Sequence, residues 1–471
     1  MSSGRASWVG SLTAILLAAA VLRLAGLFSD LWLDEIWSLT ATRAMRSVLD
    51  VFRVFRVDNN HHLNTIFLYL LGDRAWWPVY RLPSYAAGVA TVACAWLVGR
   101  RDGLVGARLA AALVAASFLL INYASEARGY SPAVCLSMAG WLALLRFADA
   151  PTLARAAAFW ACGILAVLAH VTALHFMVAA FAWLVAHEAR QGGGAVRVAR
   201  RVAAAFGVPA VALALFWLGA LRGTQIGGGP DYRAVDVIVE TVSSVAGGPA
   251  VGVGAWVVCL LSLGVLVPAL VPSRATRDDS WVFYLVVVLI SPATVAALVR
   301  GPVLFVRYFL VPAAFALLAV GRILAAALST SSPRRVVAAL VLGAYVAGNL
   351  WHVAALSRAG RGGYVAAVRM IGAETSGPYV SVSADHDFRV ARVLAYYERF
   401  LRPGQRFVYF DRGHRPREGT DWYITQRTDG VVVAAPSVTD DLGHRYALRR
   451  IFASIRLSGS TWSVYRRTAA P

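Results

Sequence analysis

At 471 residues, 59% of them hydrophobic and only 15% charged, the chain is too apolar for a soluble protein, in which about a quarter of residues carry charge, and it reads as a polytopic membrane protein. Its formal charge of +20 comes from arginine alone, since the sequence contains no lysine. In so apolar a chain this excess reports loop topology and contact with anionic membrane lipid, and no zinc-finger spacing, basic helix or aromatic RNA-binding motif points to nucleic acid.

The first apolar segment, 9–28, carries one charge, Arg23, and no convincing cleavage site follows it, so it reads as a retained helix. Directly after it comes Leu31-Trp32-Leu33-Asp34-Glu35-Ile36-Trp37-Ser38. An ionised acid beside hydrocarbon loses hydration that an apolar wall does not replace, so the pair Asp34-Glu35 is a candidate for chemistry. Trp32 and Trp37 read as membrane-interface anchors, with stacking on a sugar as the alternative. The segment 63–71 is half a span long. Ten further spans follow at 82–99, 107–121, 130–147, 153–169, 172–187, 202–221, 250–271, 281–299, 303–325 and 336–356, giving about eleven transmembrane helices.

Charge decides how these thread. If 63–71 lies in the interface and the N-terminus is cytoplasmic, the clusters Arg100-Arg101, Arg190/Arg197/Arg200-Arg201, Arg274/Arg277 and Arg334-Arg335 all face the cytoplasm, as the positive-inside bias requires. A full span at 63–71 would invert every one. The loop 29–81, with juxtamembrane helices, and the C-terminus are therefore expected outside the cytoplasm. The run Gly227 to Pro230 reads as a flexible hinge in an extracytoplasmic loop. The cysteines Cys94, Cys135, Cys162 and Cys259 sit in apolar segments without metal-ligand spacing and read as packing residues.

Beyond 356 the apolar runs shorten. Segments 378–383, 407–410, 422–425 and 462–465 alternate like strands, and 388–401 has a helical pattern. The expected organisation is a transmembrane domain, 1–356, and a soluble α/β domain, 357–471.

On this topology the polar outliers share the extracytoplasmic face. They are Asp34 and Glu35; Asp58-Asn59-Asn60-His61-His62-Leu63-Asn64; Asn122-Tyr123-Ala124-Ser125-Glu126-Ala127-Arg128-Gly129-Tyr130; His170; and Arg307-Tyr308. Polar residues that merely cap helices would scatter over both faces, so the clustering points to one polar cavity.

These residues, together with Arg81-Leu82-Pro83-Ser84, the span end Gly99-Arg100-Arg101 and Pro312 after Arg307-Tyr308, resemble the C-type (GT-C) membrane glycosyltransferases. The resemblance is to the branch of protein O-mannosyltransferases and the lipid A aminoarabinose transferase, the family 39-like enzymes. It runs across roughly residues 9–325, departs at His62, where relatives often have proline, and does not cover the C-terminal domain.

The resemblance implies a multi-pass enzyme of the bacterial inner membrane that takes a hexosyl or pentosyl group from a polyprenyl-phosphate donor. The acceptor would be a hydroxyl of a glycan, lipid or protein, at an extracytoplasmic site. Asp34 matches the family's catalytic acid and would take the acceptor proton, with Glu35 orienting it or raising its basicity. The leaving phosphate needs charge stabilisation, for which Arg128 and Arg307 are candidates. Glu126 would pair with Arg128 or help hold a divalent cation, and His61 and Tyr308 would contact the donor, with His62 and His170 weaker candidates. No cofactor is expected, and metal is the disfavoured option. The rival class is a transporter or flippase for a lipid-linked or anionic substrate, which calls for ionisable residues deep in the spans and for broken helices.

Overall fold

The computed structural model describes residues 2–192, 194–227, 232–271, 279–299, 304–330 and 333–468. The chain divides into two compact units: a helical one of Met1–Leu27, Ala44–Asp73 and Pro78–Val353, and a second of Phe28–Arg43, Arg74–Trp77 and Ala354–Pro471.

In the helical unit every expected span has a helix. They are Ser2–Leu22, Pro78–Gly99, Gly103–Ala116, Tyr130–Asp149, Leu153–Ala169, Leu174–Arg190, Ala195–Phe216, Gly252–Leu270, Trp281–Leu298 (with a π-turn inside), Leu310–Leu328 and Pro333–Ala359. Among the described residues, eight continuous helical segments are long and apolar enough to cross a membrane, the stretch Pro78–Ala116 counting as one. The apolar parts of the first helix, Val9–Leu22, and of Leu153–Ala169 are shorter. The chain is a multi-pass membrane protein. The expected hinge at Gly227 to Pro230, apart from Gly227 itself, and the Arg274/Arg277 cluster lie outside the described residues.

Glycine permits a close helix approach. Pro78–Gly99 doubles back into Gly103–Ala116 through a 3-10 turn and Gly103, whose φ of +88° suits only a residue without Cβ. A Cβ on Gly99 would lie 2.6 Å from the Gly106 carbonyl oxygen. The helix Gly103–Ala116 then stops at Ser117 (ψ 112°) and a new one, Phe118–Ala124, begins. The half-span appears as the ten-residue helix His62–Leu71.

The second unit is built on a six-stranded mixed sheet: β1 (Tyr379–Ala384), β2 (Arg406–Tyr409), β3 (Trp422–Arg427), β4 (Ser437–Thr439), β5 (Arg445–Phe452) and β6 (Thr461–Arg467), in the order β2-β1-β3-β6-β5-β4. β1 pairs in parallel with β2 and β3, and the remaining pairs are antiparallel. The helix Asp387–Tyr397 makes the parallel crossover from β1 to β2. Val380, Val382, Ile424 and Val464 are fully buried with Trp422 and Trp462, forming the core under this sheet.

The sequence pattern anticipates β1, β2, β3, β6 and the crossover helix, but not β4, β5 or the helix Tyr364–Glu374. β5 reads Arg-Tyr-Ala-Leu-Arg-Arg-Ile-Phe, and a register shift between Leu448 and Arg450 breaks its period-two alternation.

The loop after the first helix joins this second unit. The Tyr397 hydroxyl donates to the Leu31 carbonyl (2.8 Å), Arg361 donates to the Ser29 hydroxyl (3.0 Å), and the Val365 N–H donates to the Asp30 carboxylate (2.9 Å). Trp77 packs edge-on against Tyr397 and Phe400.

Candidate functional site

The polar segment 122–130 is the centre of a buried cluster within the helical unit. Six of its nine residues are polar or aromatic, yet Asn122, Ser125 and Glu126 are completely inaccessible and Arg128 is 2% exposed. Buried polar groups need partners, and three neighbouring segments supply them. From the stretch before His62–Leu71, Asn59 Oδ1 accepts from Arg128 Nη2 at 2.7 Å and His61 Nδ1 accepts from the Gly129 N–H at 2.9 Å. Asn64 donates to the Ala127 carbonyl (2.7 Å). From Pro78–Gly99, Ser84 donates to the Arg128 carbonyl (2.6 Å) and accepts Ser131 on its own carbonyl (2.8 Å). Gly129 is obligatory, because a Cβ there would lie 1.9 Å from the Ala169 carbonyl oxygen.

Aromatic rings close the cluster. The Arg128 guanidinium lies over Tyr130 at 4.9 Å, His61 and His170 rings approach at 4.7 Å, and Tyr130 packs against both histidines. Tyr308 lies 6.1 Å from His170, and Arg307 sits over Phe305 at 4.3 Å.

Electrostatics fix the protonation states. Burial, reinforced by the positive charge of Arg128, holds both His61 and His170 well below the ordinary imidazole value, with Arg307 pushing the same way, so both are neutral. Burial, with the Glu126 carboxylate adding to it, pushes the Tyr123 phenol well up. Because Nδ1 of His61 accepts the Gly129 N–H and Nδ1 of His170 accepts the Thr172 N–H (3.1 Å), each neutral ring carries its proton on Nε2. The Nε2 of His61 is buried and has no hydrogen-bond partner among the described residues. Two guanidiniums against one carboxylate, with two imidazole N–H donors, make a receptor for an anion.

His61 therefore joins Glu126, Arg128, His170, Arg307 and Tyr308, whereas His62 does not. Its ring packs against Phe52 and Phe216. Asn59 and Ser84, which hold Arg128 and its carbonyl, were legible only as parts of the runs Asp58 to Asn64 and Arg81 to Ser84. Nothing in their spacing marks them as its partners. Among the described residues no group of three or more His, Cys, Asp or Glu side chains is placed to hold a metal ion.

Asp34 and Glu35 belong to the second unit, on the helix Leu33–Thr42. Glu35 is buried and its carboxylate accepts the Trp32 N–H at 3.2 Å, closing the first helical turn, while Asp34 stays half-buried. Trp32 is buried and Trp37 packs edge-on against Phe388, with Arg392 over both the Trp37 and Phe388 rings. The tryptophans expected as interfacial anchors thus serve the packing of this unit.

The whole chain superposes on solved membrane glycosyltransferases. ArnT from Cupriavidus metallidurans, a lipid A aminoarabinose transferase, matches in its apo state over 99% of this chain and 100% of its own, with a TM-score of 0.53 at 11% identity. This is the GT-C fold. ArnT bound to undecaprenyl phosphate matches at a TM-score of 0.51 and 12% identity, covering 100% and 99% of the two chains. The archaeal oligosaccharyltransferase AglB from Archaeoglobus fulgidus, in complex with an inhibitory peptide and a dolichol-phosphate, shares the GT-C fold at a TM-score of 0.50 and 11% identity, over 90% of this chain and 70% of its own. No family model and no curated protein sequence matches the chain, so the likeness rests on the GT-C architecture.

Proposed function

We propose that the protein is a glycosyltransferase that moves a hexosyl or pentosyl group from a polyprenyl-phosphate donor to an acceptor hydroxyl. The observation that carries this reading is the receptor formed by buried Arg128, His61 and His170 with half-buried Arg307 in a GT-C fold. It lies at the start of the 20-residue helix Tyr130–Asp149, whose positive end favours an anion. Its groups suit the leaving phosphate, which is a weak base and needs charge neutralised. The solved structures of ArnT and AglB include complexes with undecaprenyl phosphate and a dolichol-phosphate, ligands of this chemistry.

Asp34 takes the base role. As the acceptor oxygen bonds to the anomeric carbon, its proton passes to the Asp34 carboxylate and the bond from that carbon to the phosphate oxygen breaks, the electron pair leaving with the phosphate. Glu35 holds the first turn of the helix that presents Asp34. Positive-inside bias places the loop 29–81 and the domain 357–471 outside the cytoplasm of the bacterial inner membrane. Cysteine probes at Ser47 and Ser437 should then label from outside in intact cells, and one at Gln191 should not.

A flippase remains the second reading, because the helix break at Ser117 and the fully buried Arg23 are features of that class. Purified protein in nanodiscs, given undecaprenyl-phosphate sugar and an acceptor extract, separates the two. Transfer predicts release of undecaprenyl phosphate in step with new glycoside. An intact donor after incubation, with its sidedness changed in vesicles, would overturn the transferase.

A further inference from the structure

The break at Ser117 is a made feature. A continuous helix would bond the Phe118 N–H to the Val114 carbonyl and the Leu119 N–H to the Ala115 carbonyl. Instead, Arg23 donates to both of those carbonyls, through Nη2 to Val114 (3.3 Å) and through Nη1 to Ala115 (3.4 Å). The Phe118 N–H donates to Asn349 Oδ1 at 2.7 Å. One turn earlier, the Tyr345 hydroxyl donates to the Leu113 carbonyl (2.6 Å), and Asn349 donates back to the Tyr345 carbonyl (2.9 Å). Arg23 and Asn349 are completely buried and Tyr345 is 8% exposed.

Arg23 and Asn349 thus replace backbone bonds that would close the gap, while Tyr345 braces the Leu113 carbonyl, which keeps its helical bond from the Ser117 N–H (3.1 Å). In a dry interior these groups must bond somewhere, so the straight and broken helices are alternatives that the side chains decide between. Space is arranged for the broken form: a Cβ on Gly88 would lie 2.8 Å from Arg23 Nε and 2.5 Å from the Ala124 Cβ. Arg23, Tyr123, Tyr130 and Ser131 line one small cavity, so Arg23 and the segment 122–130 border the same space.

We propose that Arg23, Tyr345 and Asn349 are positioning residues that lock this break and thereby aim the segment 122–130 at the donor phosphate. The inference rests on the transferase reading for its readout of donor binding, and on geometry alone for its readout of local order. Without the lock, the helix closes across Ser117, Phe118–Ala124 swings, and Tyr123, Glu126 and Arg128 leave register with His61 and Asn59.

The test compares Arg23→Met, Asn349→Leu, Tyr345→Phe and Asn349→Asp in nanodiscs. Three quantities are measured: undecaprenyl phosphate binding, thermal stability, and hydrogen exchange of the peptide covering 122–130. Arg23→Met, which removes bonds from a buried charged group, and Asn349→Leu, which leaves the buried Phe118 N–H unsatisfied, should each weaken binding at least about tenfold and raise exchange in 122–130 more than elsewhere. Tyr345→Phe should do the same more weakly, and Asn349→Asp, which keeps the acceptor for the Phe118 N–H, should restore order relative to Asn349→Leu. Unchanged exchange in folded Arg23→Met and Tyr345→Phe, or exchange raised evenly over the whole chain, would overturn the lock. Failure of the unaltered protein to bind undecaprenyl phosphate would instead count against the transferase, and the exchange result would still decide the lock.

Discussion

In the helical unit, Arg128, His61, Ser84 and Asn64 each reach a partner on another segment through a bond of 2.9 Å or less, and every one of these residues is buried. In the sheet-bearing unit the charged groups are mostly paired at the surface. Arg449 meets Glu374 at 2.9 Å with its side chain 48% exposed. The acid with the strongest claim to chemistry, Asp34, is only half-buried on a helix whose neighbour Glu35 serves as a cap. On the proposed transferase reading, the contrast separates two tasks. Holding an anion requires fixed donors in low dielectric, where each bond is strong and each loss is costly. Accepting a proton from an incoming hydroxyl requires a carboxylate that remains ionised and reachable. Substitutions that strike one task and spare the other sharpen this division, and any that strike both break it.

The largest effect is expected at Asp34. Asp34→Asn should lower transfer by about 10²- to 10⁴-fold, the usual cost of a lost general base, while undecaprenyl phosphate binding stays near normal. Joint loss of turnover and binding would dissolve the division of labour. Arg128→Lys should do the converse and weaken binding by about 10- to 100-fold, since an ammonium does not reproduce a guanidinium that bonds Asn59 while lying over Tyr130. A destabilised protein with full turnover per folded molecule would make Arg128 structural. Gly129→Ala drives a methyl into the Ala169 carbonyl and should cost about 1–3 kcal/mol of stability, read as a lower melting temperature, together with donor affinity.

The next effect depends on pH. His61 is neutral when folded but takes a proton near pH 6.5 when unfolded, so folding loses stability as pH falls below about 6.5, at up to about 1.4 kcal/mol per pH unit. His61→Asn keeps an acceptor for the Gly129 N–H without titrating, and should make melting temperature fall less steeply between pH 6.5 and 5, His170 supplying a slope of the same sign. An identical acid slope in the variant would show that His61 is not the group concerned. Least of all, Arg449→Ala should change stability by less than about 1 kcal/mol and leave both binding and turnover alone, as expected for an exposed ion pair.

Spans, half-span and the strands β1, β2, β3 and β6 were legible because apolar length and period-two alternation are local properties. So were the polar runs around Asp34, His61, Arg128 and Arg307, since a polar residue in an apolar chain stands out by itself. Helix His62–Leu71 was legible as too short to cross, whereas β5 was hidden by its bulge and its arginines.

What the sequence by itself determined is the class of molecule and the residue types available: a many-helix membrane chain with acids, arginines and histidines placed at helix ends. Which of them meet was decided by tertiary structure. His61 and His62 are neighbours with the same side chain, yet only the backbone path at Gly129 brings one of them to Arg128, while the other turns into Phe52 and Phe216. The same holds for the break at Ser117. Arg23 and Asn349 take up the groups it frees and Tyr345 braces the turn before it, and hydrogen bonds across such distances in sequence leave no local period to read.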